Sequence, residues 1–177
     1  MKPHPAFDGK HVVITGAASG IGRSVALAAA DRGAIVHLTD RNGPLLEQAA
    51  GTIRGNGGRV GGVRTLDIRE VDEVRGFAAA IHEQAVAADI VMNVAGIAIW
   101  GTVDRMTHEQ WRAVIDINLM GPIHVIESFL PKMIDAQRGG HLVNVSSAAG
   151  LFGLPWHGAY SASKFGLRGL SEVLRYD

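Results

Sequence analysis

Tyr160 and Lys164 stand four residues apart in Tyr-Ser-Ala-Ser-Lys, and Ser147 lies thirteen residues upstream (160 − 147). Residues at i and i+4 of a helix share a face, so this spacing sets the Lys164 ammonium beside the Tyr160 phenol. A nearby cation favours the phenolate, which brings a tyrosine toward exchanging a proton at neutral pH. A serine hydroxyl arriving from a strand end would hold a carbonyl or alcohol oxygen next to that proton. Alone, a Tyr-x-x-x-Lys pair is more often a solvated helix face, so the chemistry depends on what else the chain carries.

The start of the chain carries it. His11 to Thr15 is a short β-branched apolar run of the kind that forms a buried parallel strand. It runs into Gly16-Ala17-Ala18-Ser19-Gly20-Ile21-Gly22 and then into a helical pattern from Arg23 to Arg32. Strand, glycine turn and helix together form a phosphate cradle, because the backbone turns tightly and its N–H groups meet a pyrophosphate at the helix N-terminus. The plainer alternative is a βα turn that merely favours glycine. A second strand, residues 34–39, ends in Asp40, roughly 20 residues beyond the glycine turn and so placed to accept hydrogen bonds from an adenosine ribose. Its charge would repel a 2′-phosphate, which favours NAD over NADP. Arg41 next door is a possible partner for that phosphate, whereas Ser19 inside the turn is not basic.

With both ends in view, the chain resembles the short-chain dehydrogenase/reductase family. The resemblance lies in Thr15-Gly16-Ala17-Ala18-Ser19-Gly20-Ile21-Gly22, spaced Thr-Gly-x-x-x-Gly-x-Gly, and in Asn93-Val94-Ala95-Gly96, where Val94 replaces the family's second asparagine. It continues in Leu66-Asp67-Ile68, in Asp116-Ile117-Asn118-Leu119, in Ser147 of Asn144-Val145-Ser146-Ser147, and in Tyr160 and Lys164. These motifs occur in family order across residues 12 to 170. The resemblance implies a catalytic tetrad of Asn118, Ser147, Tyr160 and Lys164. Tyr160 would be the general acid or base, Lys164 would favour its phenolate and hold the nicotinamide ribose, Ser147 would orient the substrate oxygen, and Asn118 would hold a relay water. It also implies a cofactor surface of Gly16, Ser19, Gly20, Ile21, Gly22, Asp40, Arg41, Asp67, Ile68, Asn93, Ala95 and Gly96, with Tyr160 and Lys164, and an adenine contact at Asp67.

Composition narrows the remaining choices. At 177 residues and 47% hydrophobic the chain has enough for one core and little for two, so residues 1–177 read as a single dinucleotide-binding domain. Net charge is formally zero without a basic block, which leaves nucleic acid no electrostatic footprint. The absence of cysteine excludes disulfides and thiolate metal sites, and no metal is expected. The eight histidines read singly as surface or loop residues, with only His157 near the proposed site. No apolar segment follows Met1-Lys2-Pro3-His4-Pro5, and apolar runs break before the ~18 residues of a membrane span, so a cytoplasmic protein without a membrane partner is expected.

Strands are expected near residues 11–15, 34–39, 60–66, 88–93 and 140–146 with helices between them: an α/β, doubly wound parallel sheet of Rossmann type with helices on both faces. Gly55-Asn56-Gly57-Gly58 and Gln137-Arg138-Gly139-Gly140 read as helix-ending loops. Thr107-His108-Glu109-Gln110 reads as a capping box opening the helix of Asn118, with Pro122 as a kink.

The family layout places Ile97, Ala98, Ile99 and Trp100, and Leu151 to Trp156, along the substrate. Both segments are apolar and uncharged, so a hydrophobic alcohol or ketone fits better than a sugar or an acid. Burial of Trp100 and Trp156 in a core or an oligomer contact is the competing expectation. The sequence ends at Asp177 in a helical pattern, where family members continue into further strands and a substrate lid, so the strand ending at Val145 is expected to be an exposed apolar edge. The expected function is an NAD-dependent oxidoreductase, dimeric or tetrameric by family resemblance; the alternative is an inactive nucleotide-binding or interaction protein.

Overall fold

The computed structural model describes residues 4–176. Five strands form one all-parallel sheet: β1 (His11–Thr15), β2 (Ile35–Asp40), β3 (Arg59–Thr65), β4 (Ile90–Asn93) and β5 (His141–Asn144), in the order β3-β2-β1-β4-β5. The order reverses between β1 and β4, which opens a crevice at the carboxyl ends of those two strands. Successive β1 residues face opposite sides. Val12 and Ile14 join a cluster with Ala26 and Ala29 of α1 (Gly20–Asp31) and Leu46 and Ile53 of α2 (Gly43–Gly55). Val13 joins Phe77 and Ile81 of α3 (Val71–Gln84) on the other side. Burial on both faces is why β1 reads as an unbroken apolar run.

Thr107 and Gln110 form the expected reciprocal cap on α4 (His108–Ile115). The chain then makes a π turn over Asp116–Met120 and continues as α5 (Gly121–Asp135). Pro122 has no N–H to give the helical ladder. The result is a widened turn just before it rather than a break, and Asn118 sits inside that turn. By length and composition the stretch His108–Asp135 is apolar enough to cross a membrane. Ile117, Val125, Phe129 and Met133 from this stretch belong to the core cluster on the α3 side of the sheet, as in a core helix. A short 3₁₀ turn (Ala148–Gly150) and α6 (Gly158–Val173) complete the described chain.

Strand limits differ from expectation by one or two residues, most at β5, which stops at Asn144. Val145 N–H still bonds Asn93 O, but its carbonyl accepts from the Lys164 ammonium, so the ladder ends there. Among the described residues β5 is one edge of the sheet, opposite β3, and Val143 is exposed on it.

The histidines correct the sequence reading: His37, in β2, has no exposed surface. Its Nε2 lies 2.9 Å from His11 Nδ1, with the two rings stacked at 5.2 Å. β3 makes room for it. Val36 pairs with Val60 and His37 with Gly62, so Gly61 is an extra residue in a bulge. A Cβ at Gly61 would fall 2.5 Å from His37 Cε1. Burial, and secondarily the neighbouring His11, pushes the His37 pKa down to about 4.

Candidate active site

The glycine turn opens the site. Gly16 has φ +69°, and a Cβ there would meet the Ala95 backbone at 2.8 Å, so only glycine lets β1 run this close to the loop after β4. Thr15 closes the same gap from beneath. Its buried Oγ1 accepts from the N–H groups of Val94 and Ala95, each at 3.1 Å. The amide that Val94 lacks is thus not needed to hold this loop, and the Val94 side chain packs on the apolar cluster instead. Asp40, at the end of β2, accepts from Ala18 N–H at 3.1 Å and from Asn42 N–H at 2.9 Å, which fixes its carboxylate beside the turn.

These elements bound a cleft of about 370 Å³. Eleven residues anticipated for cofactor binding line it: Gly16, Ser19, Gly20, Ile21, Gly22, Asp40, Arg41, Asp67, Ile68, Ala95 and Gly96. Leu66, Val94, Ile97 and Ile117 complete the wall. Ile21 is 62% exposed at the rim, unusual for a large apolar side chain in the first turn of a helix. Asp67 takes its hydrogen bonds from Arg69, which hold its carboxyl below the usual carboxylate range.

Asn93 is placed elsewhere. It is buried, its Nδ2 donates to Asn144 Oδ1 at 2.9 Å, and Asn144 donates in turn to Ser171 Oγ, so its side chain ties β4 to β5 and α6. Its Oδ1 has no hydrogen-bond partner among the described residues, and it does not line the cleft.

The proposed tetrad gathers around the start of α6. Lys164 is 4% exposed and its Nζ donates to Val145 O at 2.8 Å. Burial holds its ammonium below the usual lysine range, easing proton exchange. Nζ lies 5.7 Å from the centre of the Tyr160 ring, as the i, i+4 spacing requires. Ser147 caps the 3₁₀ turn, its Oγ accepting from Ala149 N–H at 3.2 Å, which leaves the hydroxyl proton free to donate. Gly150 of that turn packs on the Lys164 backbone, so the serine and the helix are positioned together. Asn118, fully buried, accepts from Ile97 N–H and donates to Ile97 O, both at 2.8 Å, and also donates to Ser163 Oγ at 3.2 Å. Its amide is spent on the loop after β4. A Cβ at Gly96 would come 3.1 Å from Asn118 Oδ1 and 3.6 Å from Lys164 Nζ, so the cleft wall and the tetrad meet at this glycine.

Beyond the tetrad, Gly101 N–H bonds Trp156 O at 3.0 Å and Gly101 bridges His157, joining the two segments expected along the substrate. Trp100 lies 4.4 Å from the His157 ring, itself 6.0 Å from Tyr160. Trp100 and Trp156 are 68% and 61% exposed, so neither packs in the core. Thr15, Ser163 and the Ile97 backbone are the positioning groups the sequence reading missed. Only Thr15 left a signal, as the last residue of a strand before a glycine turn.

The sequence pattern of the short chain dehydrogenase family matches residues 10–177. The chain belongs to that family. SadH of Mycobacterium tuberculosis, which carries the name oxidoreductase, is 37% identical over 97% of this chain and 62% of its own length. The chain therefore spans less than two thirds of that relative. A short-chain dehydrogenase/reductase from Burkholderia phymatum, solved in complex with NAD, superposes with a TM-score of 0.93 at 35% identity, covering 98% of this chain and 62% of that one. A metagenomic short-chain oxidoreductase solved with NADP gives 0.88 at 34% identity, over 97% and 79% of the two chains. The family's parallel Rossmann sheet, with helices on both faces, is the fold described above.

Proposed function

We propose that this chain carries the cofactor-binding and proton-transfer machinery of an NAD-dependent dehydrogenase or reductase acting on a hydrophobic secondary alcohol or ketone. The observation that carries the reading is the continuity of the site: one cleft runs from Asp40 through the glycine turn to Gly96, where it meets Asn118 and Lys164. A dinucleotide fits it. The turn offers backbone N–H groups to a pyrophosphate, Asp40 offers a carboxylate to the adenosine ribose, and Gly96 keeps the nicotinamide end free of side chains. A bound nicotinamide dinucleotide supplies the hydride chemistry.

The chain's own residues do the rest. Tyr160 gives its hydroxyl proton to the substrate oxygen in reduction and takes it back in oxidation. Ser147 donates to that oxygen and stabilises charge on it. Lys164, tethered by Val145 O, holds its cation along the Tyr160 ring. Asn118 fixes the loop through Ile97. Asp40 favours NAD, since its charge opposes a 2′-phosphate, and Trp100, Trp156, Leu151 and Phe152 present exposed apolar surface to the substrate. Ile134 and Phe165, exposed on α5 and α6, offer apolar surface for dimer or tetramer contacts. Nothing in the site favours an inactive binding protein.

The test is Tyr160→Phe in the complete enzyme. Turnover should fall by roughly a thousandfold or more, the scale of a lost general acid, with NAD affinity nearly unchanged. Substantial turnover in the variant would remove Tyr160 from the mechanism.

A further inference from the structure

The strand order assigns each end of the cleft. In a bound dinucleotide the pyrophosphate would lie at the end of β1, the ribose at Asp40 on β2, and the adenine ring next along, beside Leu66, Asp67 and Ile68 after β3. A carboxylate there would be the natural acceptor for the 6-amino group of adenine. In this chain most of it is engaged by Arg69. Asp67 Oδ1 accepts from Arg69 N–H at 3.0 Å and from Arg69 Nε at 3.1 Å, and Oδ2 accepts from Nε at 3.0 Å and from Nη2 at 2.7 Å. The single Nε hydrogen is shared between the two oxygens, so three N–H groups of Arg69 meet a carboxylate with about four acceptor positions, and a forked guanidinium contact is the strongest use of them. Arg69 holds them cheaply, because its own N–H makes a local turn onto Asp67 and only two residues separate the pair. Neighbouring acceptors are also engaged, since Ile68 O meets His124 Nδ1 at 3.0 Å. Arg41 lies close enough to favour the Asp67 charge, yet makes no hydrogen bond to it among those described.

We infer that Arg69 sets base specificity: by occupying the carboxylate of Asp67 it suppresses selection for the adenine amino group, so this cleft tolerates dinucleotides altered at that position. The inference rests on the dinucleotide reading of the cleft. It is tested by binding rather than turnover, with NAD and nicotinamide hypoxanthine dinucleotide, in which an oxo group replaces the 6-amino group. Loss of the Arg69 charge weakens both anionic ligands alike, so the ratio of their affinities isolates the base.

Dissociation constants for both ligands are measured calorimetrically on the wild type, Arg69→Ala, and Arg69→Ala with Asp67→Ala, which leaves no acceptor at that position. Arg69→Ala should raise the preference for NAD roughly tenfold, the scale of one charge-assisted hydrogen bond, and the second change should return it to the wild-type ratio. Arg69→Gln, which keeps most of the side chain's bulk, should move the ratio the same way, and circular dichroism confirms that each variant is folded. An unchanged or lowered preference in Arg69→Ala overturns the inference. So does a rise that persists without the Asp67 carboxylate. If NAD binds none of the proteins, the dinucleotide reading itself fails; if NAD binds and only the ratio stays fixed, the failure is that of Arg69 alone.

Discussion

At the ends of β1 and β2 the site is walled by backbone and by buried groups that also hold the fold, whereas the loops before α6 present side chains to solvent. Thr15, Gly16 and Asp40 each make contacts that the sheet needs whether or not a ligand is bound. Trp100, Trp156, Leu151 and Phe152 make few, and all are more than half exposed. The difference separates two kinds of specificity. On the function proposed above, recognition of the dinucleotide would be welded to structure, while choice of substrate would sit on surfaces that can change with little cost to stability.

The largest effect expected from breaking the first region comes from Gly22→Val. A Cβ at Gly22 would press into the Gly16 carbonyl, so the helix must leave the turn. NAD binding should vanish and stability should fall by roughly 3 kcal/mol, as for an overpacked core site, read from dinucleotide titration and urea unfolding. Retained NAD affinity would show that the cleft is not welded to the fold in this way.

Acid should probe the same region through β2. The His37 pKa of about 4 in the folded chain lies below its ordinary value of 6.5. Between those values the unfolded chain binds more protons, so stability falls as pH drops through this window, by up to roughly 3 kcal/mol. Urea midpoints measured across it should be less pH-dependent in His37→Gln. An equal slope in the variant would place the acid sensitivity elsewhere.

Two smaller effects sharpen the contrast. Asp40→Ala should narrow the preference for NAD over NADP by roughly tenfold, measured as a ratio of dissociation constants; an unchanged ratio would mean that Asp40 does not meet the ribose. Trp100→Ala should shift stability by less than about 0.5 kcal/mol while raising KM for a hydrophobic substrate. A large loss of stability would move Trp100 into the structural class.

The same division governs what was legible in the sequence. The glycine turn, Asp40 and the Tyr160–Lys164 spacing could be read because backbone geometry restricts which residues can stand there. The alternation of strand and helix followed from apolar runs and glycine-rich breaks, so the sheet was legible too. The bulge that buries His37 was not, because residue types along β2 and β3 say nothing of register until the strands pair. Nor was the engagement of Asn118 with Ile97, or of Asp67 with Arg69, since each depends on which neighbour arrives first at a hydrogen-bonding group. The motif naming Asn93 pointed to the right strand end, but its side chain faces β5. Exposure of the two tryptophans depended on loop packing, which no periodicity reports.

The π turn at Asp116–Met120 has a consequence for how this helix can vary. One extra residue in a helical turn shifts the phase of everything before it by about 100° relative to everything after. Val114, ahead of the turn, therefore packs with Ala159 and Met106, while Val125 and Phe129, after it, face the sheet. The helix carries two stripes out of step with each other, and Asn118 stands at the seam. Deleting a single residue there would bring the stripes into step, and the segment before it could then reach its own partners only by giving up the asparagine's.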